Sequence, residues 1–170
     1  IFLGKQRMNP DRVGQSPDVL AGLAQFSIPP KTRILISEEA EIGWHRPLSA
    51  EKLNPVLAFY VANDENHALE LANNIAKFEG WGHSSVVHSD DPKIVAKFAS
   101  IPTGRVLVNT PAILGGMGYS TDLEPSFMLG TGTWSGSITS DNVTALHLIN
   151  IKRVAYESRP WRDIYEEYGE

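Results

Sequence analysis

Between Val56 and Val108 the chain alternates between strand and helix periodicity, and this limits its fold more than any other feature. Val56 to Val61 is an apolar, β-prone run. Asp64 then opens a stretch in which Leu69, Ala72, Ile75 and Phe78 recur at helical spacing until Gly80 stops it. Ser85 to His88 returns to strand. Lys93 to Ser100 is a second amphipathic helix with Ile94, Val95 and Phe98 inward, and Arg105 to Val108 is a buried strand. Strands separated by helices run parallel, because the crossover carries the chain back to the edge it started from. The pattern predicts an α/β fold with a parallel βαβ sheet.

The flanking segments extend this frame. Ser16-Pro17-Asp18 is a helix start, with a capping serine, a proline in the first turn and an acid at the positive end of the dipole. It leads into Val19 to Phe26, and Pro29-Pro30 ends it. Arg33 to Ile36 is a short buried strand that delivers Glu38 and Glu39 to a solvated edge. Glu41 to Ala50 is a loop. After Val108, Asn109-Thr110-Pro111 ends the ladder, and Gly104 to Gly136 contains seven glycines and few charges. A strand that empties into a glycine-rich loop is where α/β folds place ligands, though a purely structural loop has the same composition. Ala145 to Tyr156 alternates like a late strand and is a candidate edge element or subunit contact. Ser158 to Glu170 is an aromatic, acidic tail.

Composition excludes several function classes. The chain has 170 residues and a net charge of -5, and its 15 basic residues are scattered, so no nucleic-acid footprint is expected. It contains no cysteine, which excludes a disulfide framework, a thiolate metal site and a cysteine nucleophile within these residues. No apolar run reaches the ~18 residues of a membrane helix. The expectation is a soluble, cytoplasmic protein, and a start at Ile1-Phe2-Leu3 rather than Met predicts a processed product or a piece of a longer one.

No metal-ligand spacing is present, and Gly130-Thr131-Gly132 fails the dinucleotide fingerprint because Ser135 stands where the third glycine belongs. His45, His67 and His88 read as packed or solvated. His83 differs, because Gly82 before it and Ser84-Ser85 after it put it at the entrance of a strand where backbone can approach a ligand.

Six stretches carry a resemblance in the same order: Arg33 to Ile36, Glu51-Lys52-Leu53-Asn54-Pro55, Gly82 to Ser85, Arg105 to Pro111, Gly130 to Trp134, and His147 to Lys152. Together they resemble the CoA-acylating aldehyde dehydrogenases, in particular the aldehyde dehydrogenase half of the bifunctional aldehyde-alcohol dehydrogenases, from about Met8 to Tyr156. The resemblance implies residues 1–138 as part of the catalytic domain, residues 139–157 as the region of an oligomerisation strand, and residues 158–170 as a tail. It implies an enzyme in which a cysteine thiolate attacks an aldehyde, hydride passes to NAD, and the thioester is handed to coenzyme A.

That cysteine lies upstream of the matched stretches in the family, so the chain alone is expected to be inactive. The resemblance gives Glu51 to the nicotinamide ribose and His83 to the acylation step. It gives Asn109, Thr110, Pro111, Gly130, Thr131 and Gly132 to the aldehyde pocket, with Trp134 as a packing anchor, and it gives residues 145–156 to a homo-oligomer contact. Ala112-Ile113-Leu114 is apolar where relatives often carry smaller polar residues, which leaves the aldehyde open. A hydrolytic aldehyde dehydrogenase and a catalytically inactive assembly module are the alternatives, and Gly82-His83 argues against the first.

Overall fold

In the computed structural model, which describes residues 1–4 and 7–169, helices and parallel strand pairs alternate as the periodicity predicts. Strands β1 (Phe2–Leu3) and β2 (Arg7–Met8) form an antiparallel pair. Strand β3 (Leu35–Glu38) runs parallel to β4 (Val56–Phe59), and β5 (Gly82–Val87) runs parallel to β6 (Thr103–Val108). Five α-helices accompany them among the described residues: α1 (Pro17–Leu23), α2 (Glu65–Glu79), α3 (Pro92–Phe98), α4 (Ala112–Gly116) and α5 (Trp161–Tyr168). None is long and apolar enough to cross a membrane.

The local causes are those in the sequence. The Asp64 side chain accepts the His67 N–H at 2.8 Å and caps α2, and the Gly80 N–H closes it on the Ala76 carbonyl at 3.0 Å. Leu69, Ala72, Ile75 and Phe78 lie on its half-buried face. Phe78 meets Trp44 edge-on at 5.3 Å, and Trp44 meets Phe2 at 6.2 Å, so the 41–50 loop is pinned to α2 by aromatic contacts. The Asp91 carboxylate caps α3 through the Lys93 N–H at 2.8 Å, and α3 is the crossover of a β5-α3-β6 unit.

The expected strands pair two by two among the described residues rather than in one sheet, since β4 does not hydrogen-bond to β5. Strand β3 starts two residues later than the apolar run, because its register is set by β4: the Leu35 N–H donates to the Pro55 carbonyl at 2.9 Å. Strand β5 begins at Gly82, not Ser85, so His83 lies inside the ladder. The strand expected from Ala145 is corrected. Ala145–Leu148 is a 3-10 turn, closed where the Thr144 N–H donates to His147 Nδ1 at 3.0 Å. Residues 149–156 then run exposed, with no ladder partner among the described residues. The helices α4 and α5 and the β1–β2 pair were not expected.

Candidate active site

Glu51 and His83 are 32 residues apart in sequence, and the fold brings them to the walls of one open cleft of about 380 Å³. The cleft runs from the amino end of β5, along β4, to the carboxyl end of α2. Glu51 sits between the 3-10 turn Pro47–Ser49 and β4. That turn is fixed by the buried Ser49 hydroxyl, which accepts the Gly43 N–H at 3.0 Å and donates to the Gly43 carbonyl at 3.2 Å.

Lys52 points back into the turn, donating to the Leu48 carbonyl and, at 2.9 Å, to the Ala50 carbonyl. Burial holds its ammonium below the usual lysine range, and the Glu39 carboxylate opposes that shift. With Lys52 turned away, the Glu51 carboxylate is exposed and has no hydrogen bond or ion pair among the described residues. Tyr60 faces the same cleft, its hydroxyl donating to the Glu41 carbonyl at 3.3 Å, and burial raises its pKa. The Asn54 amide is a wall residue whose oxygen and nitrogen are both buried without a partner.

His83 is held by backbone. Its N–H donates to the Gly80 carbonyl at 3.0 Å, and Gly82 sits at φ +79°, a conformation that favours glycine. The imidazole is exposed and has no hydrogen bond among the described residues. The glycine-rich loop crosses directly over this turn. A Cβ on Gly82 would lie 2.2 Å from the Thr131 carbonyl oxygen, and one on Gly104 would lie 2.6 Å from the Gly82 oxygen. The loop folds back on itself, with the Gly130 N–H on the Asp141 carbonyl and the Gly132 N–H on the Thr139 carbonyl, each at 2.9 Å. Trp134 stacks on Trp81 with ring centres 6.2 Å apart, the packing role expected of it.

Gly130, Thr131 and Gly132 therefore lie at the His83 end of β5. Asn109, Thr110 and Pro111 do not. They follow the carboxyl end of β6, and the parallel register puts that end about 13 Å along the strands from His83, four steps at ~3.3 Å per residue. Their side chains serve the fold there. Asn109, at φ 53°, accepts the Ser89 N–H at 2.9 Å and donates to the Ser89 carbonyl at 3.1 Å. Thr110 is buried, with its hydroxyl on that of Ser120, and Pro111 precedes α4, its carbonyl accepting the Gly115 N–H at 2.8 Å. The residues expected at the strand end thus lie at the carboxyl end of β6, whereas the cleft lined by Glu51 and His83 lies beside the amino end of β5 and along β4.

Two polar residues that hold this region together were not singled out in the sequence. Arg105 is 9% exposed and donates from its guanidinium to the Gly130 and Ser140 carbonyls, each at 2.8 Å, and to the Ser84 hydroxyl at 3.2 Å. Burial pushes its pKa down, and the Asp141 carboxylate opposes this. Asn142 is buried and donates to the Gly116 and Glu124 carbonyls at 2.8 and 2.6 Å. The one available signal was a charged residue opening an apolar strand, Arg105-Val106-Leu107-Val108.

The fold is shared with solved aldehyde dehydrogenases. No family model matches the chain. A probable aldehyde dehydrogenase from Listeria monocytogenes superimposes with a TM-score of 0.88 at 43% identity, over 96% of this chain and 36% of that one. An acetylating aldehyde dehydrogenase from Geobacillus thermoglucosidasius gives 0.86 at 40% identity, over 93% and 35%. In sequence, the bifunctional aldehyde-alcohol dehydrogenase of Escherichia coli K12 is 41% identical over 161 residues, covering 91% of this chain and 18% of that protein. The chain is homologous to the acetylating aldehyde dehydrogenases. It spans less than a fifth of the bifunctional enzyme and just over a third of the two solved neighbours.

Proposed function

We propose that this chain supplies one wall of the active site of an NAD-dependent, CoA-acylating aldehyde dehydrogenase, which converts an aldehyde to its acyl-CoA through a cysteine thioester. The observation that carries the reading is the shared cleft: an exposed carboxylate and an exposed imidazole, both free of partners among the described residues, face one volume. The chain has no cysteine, so the nucleophile comes from outside these residues and the chain alone is inactive.

The residues fit the nicotinamide end of a dinucleotide. A free carboxylate accepts from two vicinal hydroxyls at once, which suits Glu51 to the ribose, and the unpartnered Asn54 amide lies in the same wall. Held there, NAD would supply the hydride acceptor for oxidation of the aldehyde. The His83 imidazole, with no hydrogen-bond partner among the described residues, takes the proton of the incoming CoA thiol so that the sulfur attacks the thioester carbon. Thr131 and the Gly130–Gly132 backbone close the mouth beside it and limit water, favouring transfer to the thiol over hydrolysis. Asn109, Thr110 and Pro111 support this wall from the far end of β6. Residues 149–156, exposed and with no ladder partner among the described residues, add to a neighbouring subunit's sheet. We take the enzyme to act in the cytoplasm, a compartment that holds both NAD and coenzyme A.

The test uses the full-length enzyme. His83→Ala should cut CoA-dependent NADH formation by about 10²-fold while NAD binding holds, and unchanged turnover removes the role. Glu51→Gln should raise the KM for NAD by about tenfold, the effect of losing ~1.4 kcal/mol of binding. An unaltered KM together with unaltered turnover sinks that assignment.

A further inference from the structure

Arg105 is a buried guanidinium with no carboxylate within hydrogen-bonding distance among the described residues. Its donors go to the two arms of the glycine-rich loop, at the Gly130 and Ser140 carbonyls, and to Ser84, the residue next to His83. A buried cation that spends its fork on loop carbonyls is costly unless the geometry is held, since each bond replaces one to water. The loop has no slack to absorb a change, because the Thr131 carbonyl already sits where side chains on Gly82 would be. Trp134, carried on this loop, reaches its stack on Trp81 only while the loop keeps its register over β5.

We infer that Arg105 is a positioning residue for the acyl-transfer site: it ties both arms of the 130–140 loop to the His83 strand and so sets the width of the mouth. The inference rests on the reading of His83 and this loop as the active-site mouth. A lysine at this position offers a point charge without the planar fork and reaches one loop arm rather than two. The arms would then part from β5 together, taking Trp134 away from Trp81.

The test compares Arg105→Lys and Arg105→Met in the full-length enzyme by two readouts. The first is the near-ultraviolet circular dichroism of the Trp81–Trp134 pair, isolated as the difference from Trp134→Phe. The second is kcat and KM for NAD, aldehyde and CoA. Both variants should lose the pair signal by half or more below their melting temperature. They should lower kcat at least tenfold while the KM for NAD changes less than twofold, with Arg105→Lys the milder. A purely structural Arg105 would lower the melting temperature yet leave the pair signal and kcat intact, and that result overturns the inference. So does a lost pair signal with unchanged kcat. Failure of the underlying reading shows separately, as unchanged turnover in His83→Ala.

Discussion

Three glycines around the loop separate two costs that usually come together. Gly136 sits at φ +79° with nothing within 4 Å of a would-be Cβ, so Gly136→Ala bears only the left-handed penalty, about 1–2 kcal/mol. Gly104 lies at ordinary φ but would place its Cβ 2.6 Å from the Gly82 oxygen, so Gly104→Ala bears only the contact, about 1–3 kcal/mol by the usual cost of overpacking. Gly82 has both, at φ +79° and 2.2 Å from the Thr131 oxygen, and the sum is about 2–5 kcal/mol. The gain from a stiffer unfolded chain, about 0.4–1 kcal/mol per Gly→Ala change, is common to all three and cancels in the comparison. Urea unfolding of the full-length protein, with the slope unchanged, measures the order Gly82 above Gly104 and Gly136. If Gly82→Ala costs no more than Gly136→Ala, the loop backbone does not lie over the His83 turn, and the site as described is wrong.

Two further substitutions probe the polar framework. Asn142→Ala strands the Gly116 and Glu124 carbonyls and should destabilise by about 2–4 kcal/mol in the same assay. Asn142→Asp should be worse, because it points a carboxylate at two carbonyl oxygens; equal stability of Asn142→Asp and wild type would refute the assigned donor role. For Lys52 the sign runs from burial. Its folded pKa lies below its unfolded one, so the unfolded state binds more protons between the two values, and stability rises with pH through that alkaline window. Lys52→Met should flatten this rise in pH-dependent melting, and a slope equal to wild type would remove the attribution to Lys52.

What could be read from the sequence was what short-range chemistry decides. Asp64 and Gly80 bracket α2, Asp91-Pro92 opens α3, and the apolar run from Arg105 marks β6, because caps, prolines and side-chain period act within a turn or two. The resemblance to the acylating aldehyde dehydrogenases was legible too, from six short stretches in order. The rest depended on partners far along the chain. Strand β5 starts at Gly82 because Gly82 pairs with Thr103, and no local preference favours a strand across Gly82-His83. Arg105 looked like the edge of a strand until Gly130 and Ser140, 25 and 35 residues on, supplied its acceptors. Asn109 to Pro111 sat next to the glycine-rich loop in sequence, yet the loop returns to the opposite end of the strands before it covers His83.

The same separation of near and far explains the surface. The chain exposes 12609 Å², whereas a free-standing folded protein of 18.7 kDa exposes about 8,300 Å². Parallel sheets are ordinarily covered on both faces, but Ile36, Leu57 and Phe59, on one face of β3–β4, are 64%, 50% and 51% exposed. Those three apolar side chains suit a covered sheet, and the chain spans about a third of its solved neighbours. The His83 end is different in kind. Its glycine contacts, the Arg105 fork and the tryptophan stack all close within residues 81–141, so the loop over the Gly82–His83 turn is held by contacts inside this chain whatever covers the sheets.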